Sequence, residues 1–323
     1  MKLDQILAPI KEDLAEFDGK VKDYIHSDSP LIYQVADHIL KRKGKRLRPS
    51  LVYLSAGACG KRSKRLTQAA LAIELIHTAT LLHDDVIDES PTRRGQPTVN
   101  YRWNNLVSVL MGDYLFAKAF RIMMDTKSQS LLTAISAATE RVSLGELLQV
   151  QECFNYDLDE RSYMNIIQEK TASLFSVACE SGAILSSAED NNRRKFRTYG
   201  ENFGIAFQIR DDLLDLVGEK EKTGKEPGND LKEGKITLPL IYALKSTTSR
   251  KRKEVVRILD DGFDQNGFTK VLRFIKEQKG MEYAHSKAEE YGDKALTNLS
   301  YLDGSEYKNA LADLVDFAVR RNK

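Results

Sequence analysis

The sequence predicts an all-α protein, a large single-domain helical bundle spanning residues 1–323. Three observations point there: seven prolines in 323 residues, long segments whose apolar residues recur at spacings of three and four, and no sustained strand alternation. No repeat, low-complexity tract or linker interrupts the pattern, so one domain is favoured over two.

The chain opens with MKLDQILAPIKEDLAEF, where acids interrupt the apolar positions, so it lacks the apolar core of a signal peptide. No apolar stretch approaches the roughly 18 residues of a spanning helix, so any membrane contact is made from outside. Three cysteines, Cys59, Cys153 and Cys179, fit no metal-ligand or disulfide spacing and read as reduced thiols of a cytoplasmic protein.

Next comes KRKGKRLRP, residues 41–49, with six Lys or Arg in the eight positions before its proline. Such a run suits nucleic-acid phosphates, a solvated helix end, or a smaller phosphate-bearing ligand. Across the chain 49 Lys and Arg stand against 47 Asp and Glu, a net charge of +2 that argues against a nucleic-acid binder.

Residues 66–88, LTQAALAIELIHTATLLHDDVID, form the longest apolar-periodic stretch, rich in the good helix formers Ala and Leu. It stops before the loop ESPTRRGQPT, marked by two prolines and a glycine. A second strong helix, residues 199–218, YGENFGIAFQIRDDLLDLVG, ends at Gly218 before a charged, glycine-bearing loop. Each helix closes on a DDxxD motif: Asp84, Asp85 and Asp88 on the first, Asp211, Asp212 and Asp215 on the second. At about 100° per residue, aspartates four apart share a face. Acids on apolar helices require a positive partner, and a hard cation suits the role. Mg²⁺ is usually held by one or two carboxylates plus substrate phosphates, so two such motifs can hold Mg²⁺ against one diphosphate.

His77, seven residues before Asp84, falls in the sector of Asp84 and Asp88 and is either part of that site or an ordinary helical histidine. Gln208, one turn before Asp211, either donates to a phosphate oxygen or is an ordinary polar residue. Arg93 and Arg94 follow the first motif and either make an anion clamp, since arginine forks match phosphate oxygens, or are ordinary exposed loop arginines. Lys170, Thr171, Lys225 and Lys235 are weaker candidates by themselves. The segment GEKEKTGKE has five residues between its glycines and Glu226 after the lysine, so it is not a P-loop; its composition suits a lid.

An ordered set of segments, GKRLRP, HTATLLHDDVIDESPTRRG, GDYLFAKAF, EKTASLF, FQIRDDLLD and GKEPGNDLKEGKITLPL, resembles the trans-isoprenyl diphosphate synthases, or polyprenyl synthetases, nearly end to end. The resemblance implies a helical bundle around a deep central cavity with the Asp-rich motifs near its mouth, assembled as a homodimer. It implies that Lys45, Arg48, His77 and Arg94 bind isopentenyl diphosphate. It implies that Asp84, Asp88 and Asp211 ligate Mg²⁺, with Asp85, Asp212 and Asp215 in support. Arg93, Lys170, Thr171, Gln208, Lys225 and Lys235 then contact the allylic diphosphate, farnesyl or geranylgeranyl. Lys41, Arg42, Lys43 and Arg46 match no such role and are expected to be solvated charge. No side-chain base stands out, so the proton lost in each trans condensation goes to the released diphosphate.

In this family, bulky residues just before the first motif shorten the product. Ala79 and Thr80 stand there and are small, implying a long chain such as a hexaprenyl to octaprenyl diphosphate for a quinone side chain. The cavity floor is Phe116, Phe120 or another bulky residue, and transient membrane contact would serve product release. Three rivals remain: a phosphohydrolase using His83 and Asp84 as metal ligands, a non-catalytic partner subunit, and a geranylgeranyl diphosphate synthase of shallower cavity.

Overall fold

The computed structural model describes residues 2–25, 27–41, 44–60, 63–93, 95–217, 227–260 and 264–320. The expected all-α architecture is observed. Helices α1 (Leu3–Ile6), α2 (Lys11–Ile25), α3 (Pro30–Leu40) and α4 (Leu47–Ala58) precede the long α5 (Leu66–Ile87). Pro30 opens α3 at the position where a missing N–H costs nothing. The ESPTRRGQPT segment carries a two-residue antiparallel hairpin, Thr92–Arg93 against Gln96–Pro97, which turns at Gly95 with φ +69°. After it come α6 (Val99–Arg102), α7 (Asn105–Asp125), α8 (Gln129–Gln151) and α9 (Glu160–Ile167). Asn104 caps α7 by accepting from Val107 N at 2.9 Å, and Asp159 caps α9 by accepting from Ser162 N at 2.7 Å.

A single π-helical turn, Gln168–Ala172, joins α9 to α10 (Ser173–Leu185), and α11 runs from Asp190 to Val217. The chain continues through helices Asn229–Lys232, Leu238–Lys245, Ser249–Asp260, Gln265–Glu277, Gly280–Thr297 and Glu306–Arg320. Helix α11 starts nine residues before the expected Tyr199. Its first turns, DNNRRKFR, show almost no apolar period, and they are held by the buried Phe196, whose ring meets that of Tyr301.

Helix α5 is apolar all round over its first half, and Ala69 through Ile73, Leu75 and Ile76 have no exposed surface. Such a helix belongs in the middle of a core, where each fully buried Leu or Ile is stabilised by about 1.5–3 kcal/mol. It packs along α7 and against α4, and α10 packs on α4 and α11. Two sets of buried residues result. One surrounds α4, α5, α7 and α10 and includes Phe175, Tyr199 and Phe203. The other gathers Ile205, Ile209, Leu213 and Leu216 of α11 with Tyr163, Ile166 and Ile167 of α9 and the four helices between Leu238 and Thr297. Helix α11, 28 residues and therefore about 42 Å long, passes through both.

Arg46 departs from the expectation of solvated charge. It occupies a left-handed backbone position, φ +53°, and donates to the buried Glu74 of α5 at 2.7 Å and to Asp18 at 3.2 Å. Its guanidinium also lies 5.4 Å from the Phe17 ring centre. A buried glutamate needs a charged partner, which the sequence run alone did not reveal. Lys41 is exposed and pairs with Asp37 one turn back, as a solvated charge does; Arg42 and Lys43 lie outside the described residues.

Two glycines let the π turn pack closely on both sides. A Cβ at Gly145 of α8 would collide with the backbone nitrogen of Lys170, and one at Gly204 of α11 would lie 2.6 Å from Ala172 Cα. Gly145→Ala is therefore expected to lower stability by about 1–3 kcal/mol through forced separation of α8 from the turn. Thermal denaturation checks this, and an unchanged Tm would show that the contact is slack.

Candidate active site

The first DDxxD motif ends α5, with Asp88 as its C-cap, and the second ends α11. Neighbouring aspartates point different ways around each helix, and the structure gives them different partners. Lys235 donates to both carboxylate oxygens of Asp88 at 3.0 Å and to Glu233 at 2.6 Å. Burial pulls the Lys235 ammonium down, but Asp88, Glu233 and Asp230 outweigh it and hold it firmly charged. Lys170, on the π turn, donates to Glu146 of α8 at 2.7 Å. π turns interrupt helices mostly at functional positions, and here the interruption aims a lysine at an acid cluster.

Glu146 neighbours Asp84, whose Oδ1 is buried and has no hydrogen-bond donor among the described residues. Burial pushes the Asp84 carboxyl up to about 8 against the pull of Lys170, and the Glu146 carboxylate adds to the rise. For Glu146 burial also pushes upward, but the Asp84 hydrogen bond and Lys170 win and hold it below the usual range. The same surroundings therefore push Asp84 toward its protonated form and Glu146 toward its carboxylate.

In the second motif Asp212 is 4% exposed and accepts from Tyr163 Oη at 2.6 Å and Gln208 Nε2 at 2.7 Å. Burial, then Asp230, raises its pKa well above the carboxylate range, and the charge of Asp211 adds to this. Thr171 Oγ1 donates to Gln208 Oε1 at 2.9 Å, completing a chain from the π turn to the motif. Asp215 accepts from the backbone N–H of Asp230 at 3.2 Å, which ties α11 to the segment carrying Lys235. Lys170, Thr171, Gln208, Asp212, Asp230 and Lys235 line one cleft of about 120 Å³.

Asp85 turns the other way. It is buried, accepts from Arg93 Nε at 2.6 Å, and borders a second cavity of about 130 Å³ with His77, Arg93, Gly44 and Gln96. The sector argument grouped His77 with Asp84 and Asp88, whereas this cavity groups it with Asp85. A helical sector about 100° wide borders two cavities, and spacing alone does not say which. Lys45 lies 5.5 Å from the centre of the Phe317 ring, and the Arg48 guanidinium stacks 4.2 Å from that of Phe175. Arg94 and Lys225, and the lid segment 218–226, lie outside the described residues.

Ala79 is fully buried, and Thr80 is half-buried with its hydroxyl donating to the His77 carbonyl at 2.8 Å. Of the two floor candidates, Phe116 is partly buried against the core, while Phe120 is 42% exposed on α7 and cannot close a cavity within this chain. His83 turns to α7, with Nε2 3.2 Å from the Val109 carbonyl and 3.4 Å from Asp113, away from Asp84. That orientation leaves no paired His83–Asp84 ligand site for a phosphohydrolase.

Sequence reasoning missed Glu146, Tyr163, Asp230 and Glu233. The signal for Glu146 was an acid beside a mid-helix glycine in the apolar segment LGELLQV. Among the described residues no three His, Cys, Asp or Glu side chains converge to hold a cation by themselves. A buried carboxylate oxygen without a donor, in an all-oxygen set, nevertheless fits a hard cation whose remaining ligands come from substrate and water.

An all-helical bundle that brings two DDxxD motifs together across lysines defines the class of the isoprenoid synthases. The polyprenyl synthetase family model matches residues 29–275. The chain is 39% identical to the all-trans-nonaprenyl-diphosphate synthase (geranyl-diphosphate specific) of Rhodobacter capsulatus, covering 98% of this chain and 97% of the relative. It is 36% identical to the octaprenyl diphosphate synthase of Escherichia coli strain K12, with full coverage of both, 100% and 100%. A crystal structure of polyprenyl synthase from Caulobacter crescentus, complexed with calcium and isoprenyl diphosphate, superposes with a TM-score of 0.95 at 35% identity, covering 100% of this chain and 98% of that one. The chain belongs to the polyprenyl synthetase family, whose members are prenyltransferases.

The raised Asp84 carboxyl has a consequence for stability. Between the unfolded value near 3.8 and about 8 the folded protein keeps a proton that the unfolded chain has released, so stability falls as pH rises through that window. Without metal or substrate, Asp84→Asn is expected to flatten the fall and to raise Tm at pH 8 relative to the unaltered protein. Superimposable Tm–pH curves would refute the raised Asp84 carboxyl.

Proposed function

We propose that the protein condenses isopentenyl diphosphate with an allylic diphosphate, farnesyl or geranylgeranyl, in successive trans additions that yield a long-chain polyprenyl diphosphate. The observation that carries this reading is the pair of lysines, each gripping an acid of the first motif or its neighbour while standing in the cleft of the second motif. Cations poised among acids suit a substrate that is itself an anion delivered with metal. The nonaprenyl and octaprenyl products named for the two relatives support a long chain, and a quinone side chain is its proposed use.

Asp84, Asp88 and Asp211, with Asp85, Asp212 and Asp215 behind them, hold Mg²⁺, which neutralises the diphosphate when bound. Lys170, Lys235, Lys225 and Arg93, with Thr171 and Gln208, bind the allylic diphosphate. The lysines stabilise charge on the leaving group, so the allylic C–O bond breaks toward a carbocation. Lys45, Arg48, His77 and Arg94 hold isopentenyl diphosphate so that its double bond meets that cation. No residue of this set is a positioned base, and the departing proton passes to the released diphosphate.

The working unit spans residues 1–323 and is a homodimer. In support, Leu106, Leu110, Phe120 and Met124 of α7 and Leu144 and Leu147 of α8 are exposed apolar residues that a second copy would cover. The three cysteines are free, in keeping with a cytoplasmic location, and no helix of the described residues is long and apolar enough to cross a membrane. Contact with a membrane during product release remains part of the proposal.

The test incubates the purified protein with Mg²⁺, farnesyl diphosphate and labelled isopentenyl diphosphate and separates the dephosphorylated products by chromatography. A ladder ending at one long chain is expected; an end at twenty carbons would identify a geranylgeranyl diphosphate synthase, and no incorporation from any allylic starter would point to a partner subunit. Ala79→Tyr is expected to shorten the product, and an unchanged ladder would remove Ala79 from the elongation path. Light scattering on Leu110→Glu/Met124→Glu is expected to show monomers where the unaltered chain gives dimers; equal masses would move the interface elsewhere.

A further inference from the structure

His38 of α3 is 8% exposed and takes no part in the proposed chemistry. Its ring is fixed from three sides. Nε2 lies 2.8 Å from the Pro97 carbonyl oxygen, Nδ1 lies 3.1 Å from the Arg102 guanidinium, and the ring meets Trp103 edge-on with centroids 5.4 Å apart. A carbonyl only accepts and a guanidinium only donates. Nε2 therefore carries the proton, Nδ1 carries none, and the ring is neutral. One imidazole donates to the hairpin and accepts from α6, across 59 and 64 residues of sequence.

The other ties of this segment are short-range. Thr98 Oγ1 donates to the Ser90 carbonyl at 2.6 Å, Asn100 donates to the Asp85 carbonyl at 3.0 Å, and Arg93 donates to the Asp85 carboxylate at 2.6 Å. These bonds fasten the hairpin to the end of α5. His38 instead fastens it to α3, the opposite wall of the cavity of about 130 Å³ that His38, Pro97, His77, Arg93 and Gly44 line together. His77, a proposed isopentenyl diphosphate ligand, lines this cavity, and Gly44 in its wall precedes a second, Lys45, in sequence.

We propose that His38, as its neutral Nε2–H tautomer, is a positioning residue that sets the gap between α3 and the Arg93-bearing hairpin, and with it the affinity for isopentenyl diphosphate. This rests on the functional reading above. Pro97 is exposed, so its carbonyl finds water when His38 is replaced, and the loss emerges as hairpin freedom rather than as global instability.

The experiment compares His38→Phe, which keeps an aromatic ring but removes both hydrogen bonds, with His38→Gln, which keeps one donor and one acceptor. The Phe variant is expected to raise KM for isopentenyl diphosphate about tenfold and, through Arg93, the allylic KM by clearly less, with kcat within about twofold, and the Gln variant to restore most of the loss. A Phe variant at the unaltered KM, a Gln variant no better than Phe, or a parallel rise in both KM values would overturn the proposal. Nitrogen NMR of ¹⁵N-histidine-labelled unaltered protein, with His38 assigned by its absence in the Gln variant, gives a second reading that needs no folded Phe variant. Neutral Nε2–H is expected; the Nδ1–H tautomer or an imidazolium at pH 7.5 overturns it. Unaltered protein that incorporates no isopentenyl diphosphate sinks the functional reading itself, whereas normal turnover with an indifferent His38→Phe sinks only this inference.

Discussion

Carboxylates gathered in a partly dry space repel one another, and the fold is organised around answering that repulsion with lysines delivered from elsewhere in the chain. Lys235 arrives from the segment after α11 and Lys170 from the π turn, and each reaches an acid at or beside the first motif. Removing one partner of such a buried pair strands a charge at a cost of about 3–5 kcal/mol, so these contacts constrain everything that positions them. Gly145 and Gly204 allow the π turn to sit between α8 and α11, and the buried α5 fixes where the first motif ends.

The same electrostatics suits exchange. A carboxylate held by an ammonium and one pushed toward its protonated form are both compensated without a metal. A divalent cation bound there would compete with that proton for Asp84, because it would supply more positive charge to the same oxygen. The lysines, donating from flexible stems, can turn from a carboxylate oxygen to an incoming anion. An unloaded site of this kind is stable enough to fold and still responsive to its ligands.

Much of the fold was legible because its signals are local. The end of α5 and the loop after it follow from helix formers, prolines and a glycine, and the motif spacing singled out Gln208, while Lys170, Thr171 and Lys235 gained their place from the family resemblance; the structure gathers all four around one cleft. What stayed illegible depends on partners distant in sequence. Arg46 looked like one charge in a solvated run until Glu74, 28 residues away, was seen to need it. Glu146 drew no notice beside Asp84, 62 residues away in sequence, and the expected second helix began only at Tyr199 because Phe196 alone is buried in the turns before it. Periodicity identifies faces, and it is silent on which of two cavities a face borders, as His77 illustrates.

The paired aspartates of each motif gain a reason from this division. Consecutive residues on a helix diverge by about 100°, so Asp84 and Asp85 border different spaces. Asp84 looks toward Glu146 and Lys170, while Asp85 anchors Arg93 at the cavity that His77 lines. A lone aspartate at the end of α5 would reach one of these spaces. Two in succession let a single helix end act on both, so that the cleft proposed for the leaving diphosphate and the cavity proposed for the attacking alkene share a rigid wall. Reaction between two substrates demands that their separation be fixed more tightly than either pocket alone requires. Placing both walls on the end of one helix whose first half is locked in the core meets that demand, because α5 cannot shift one aspartate without carrying the other.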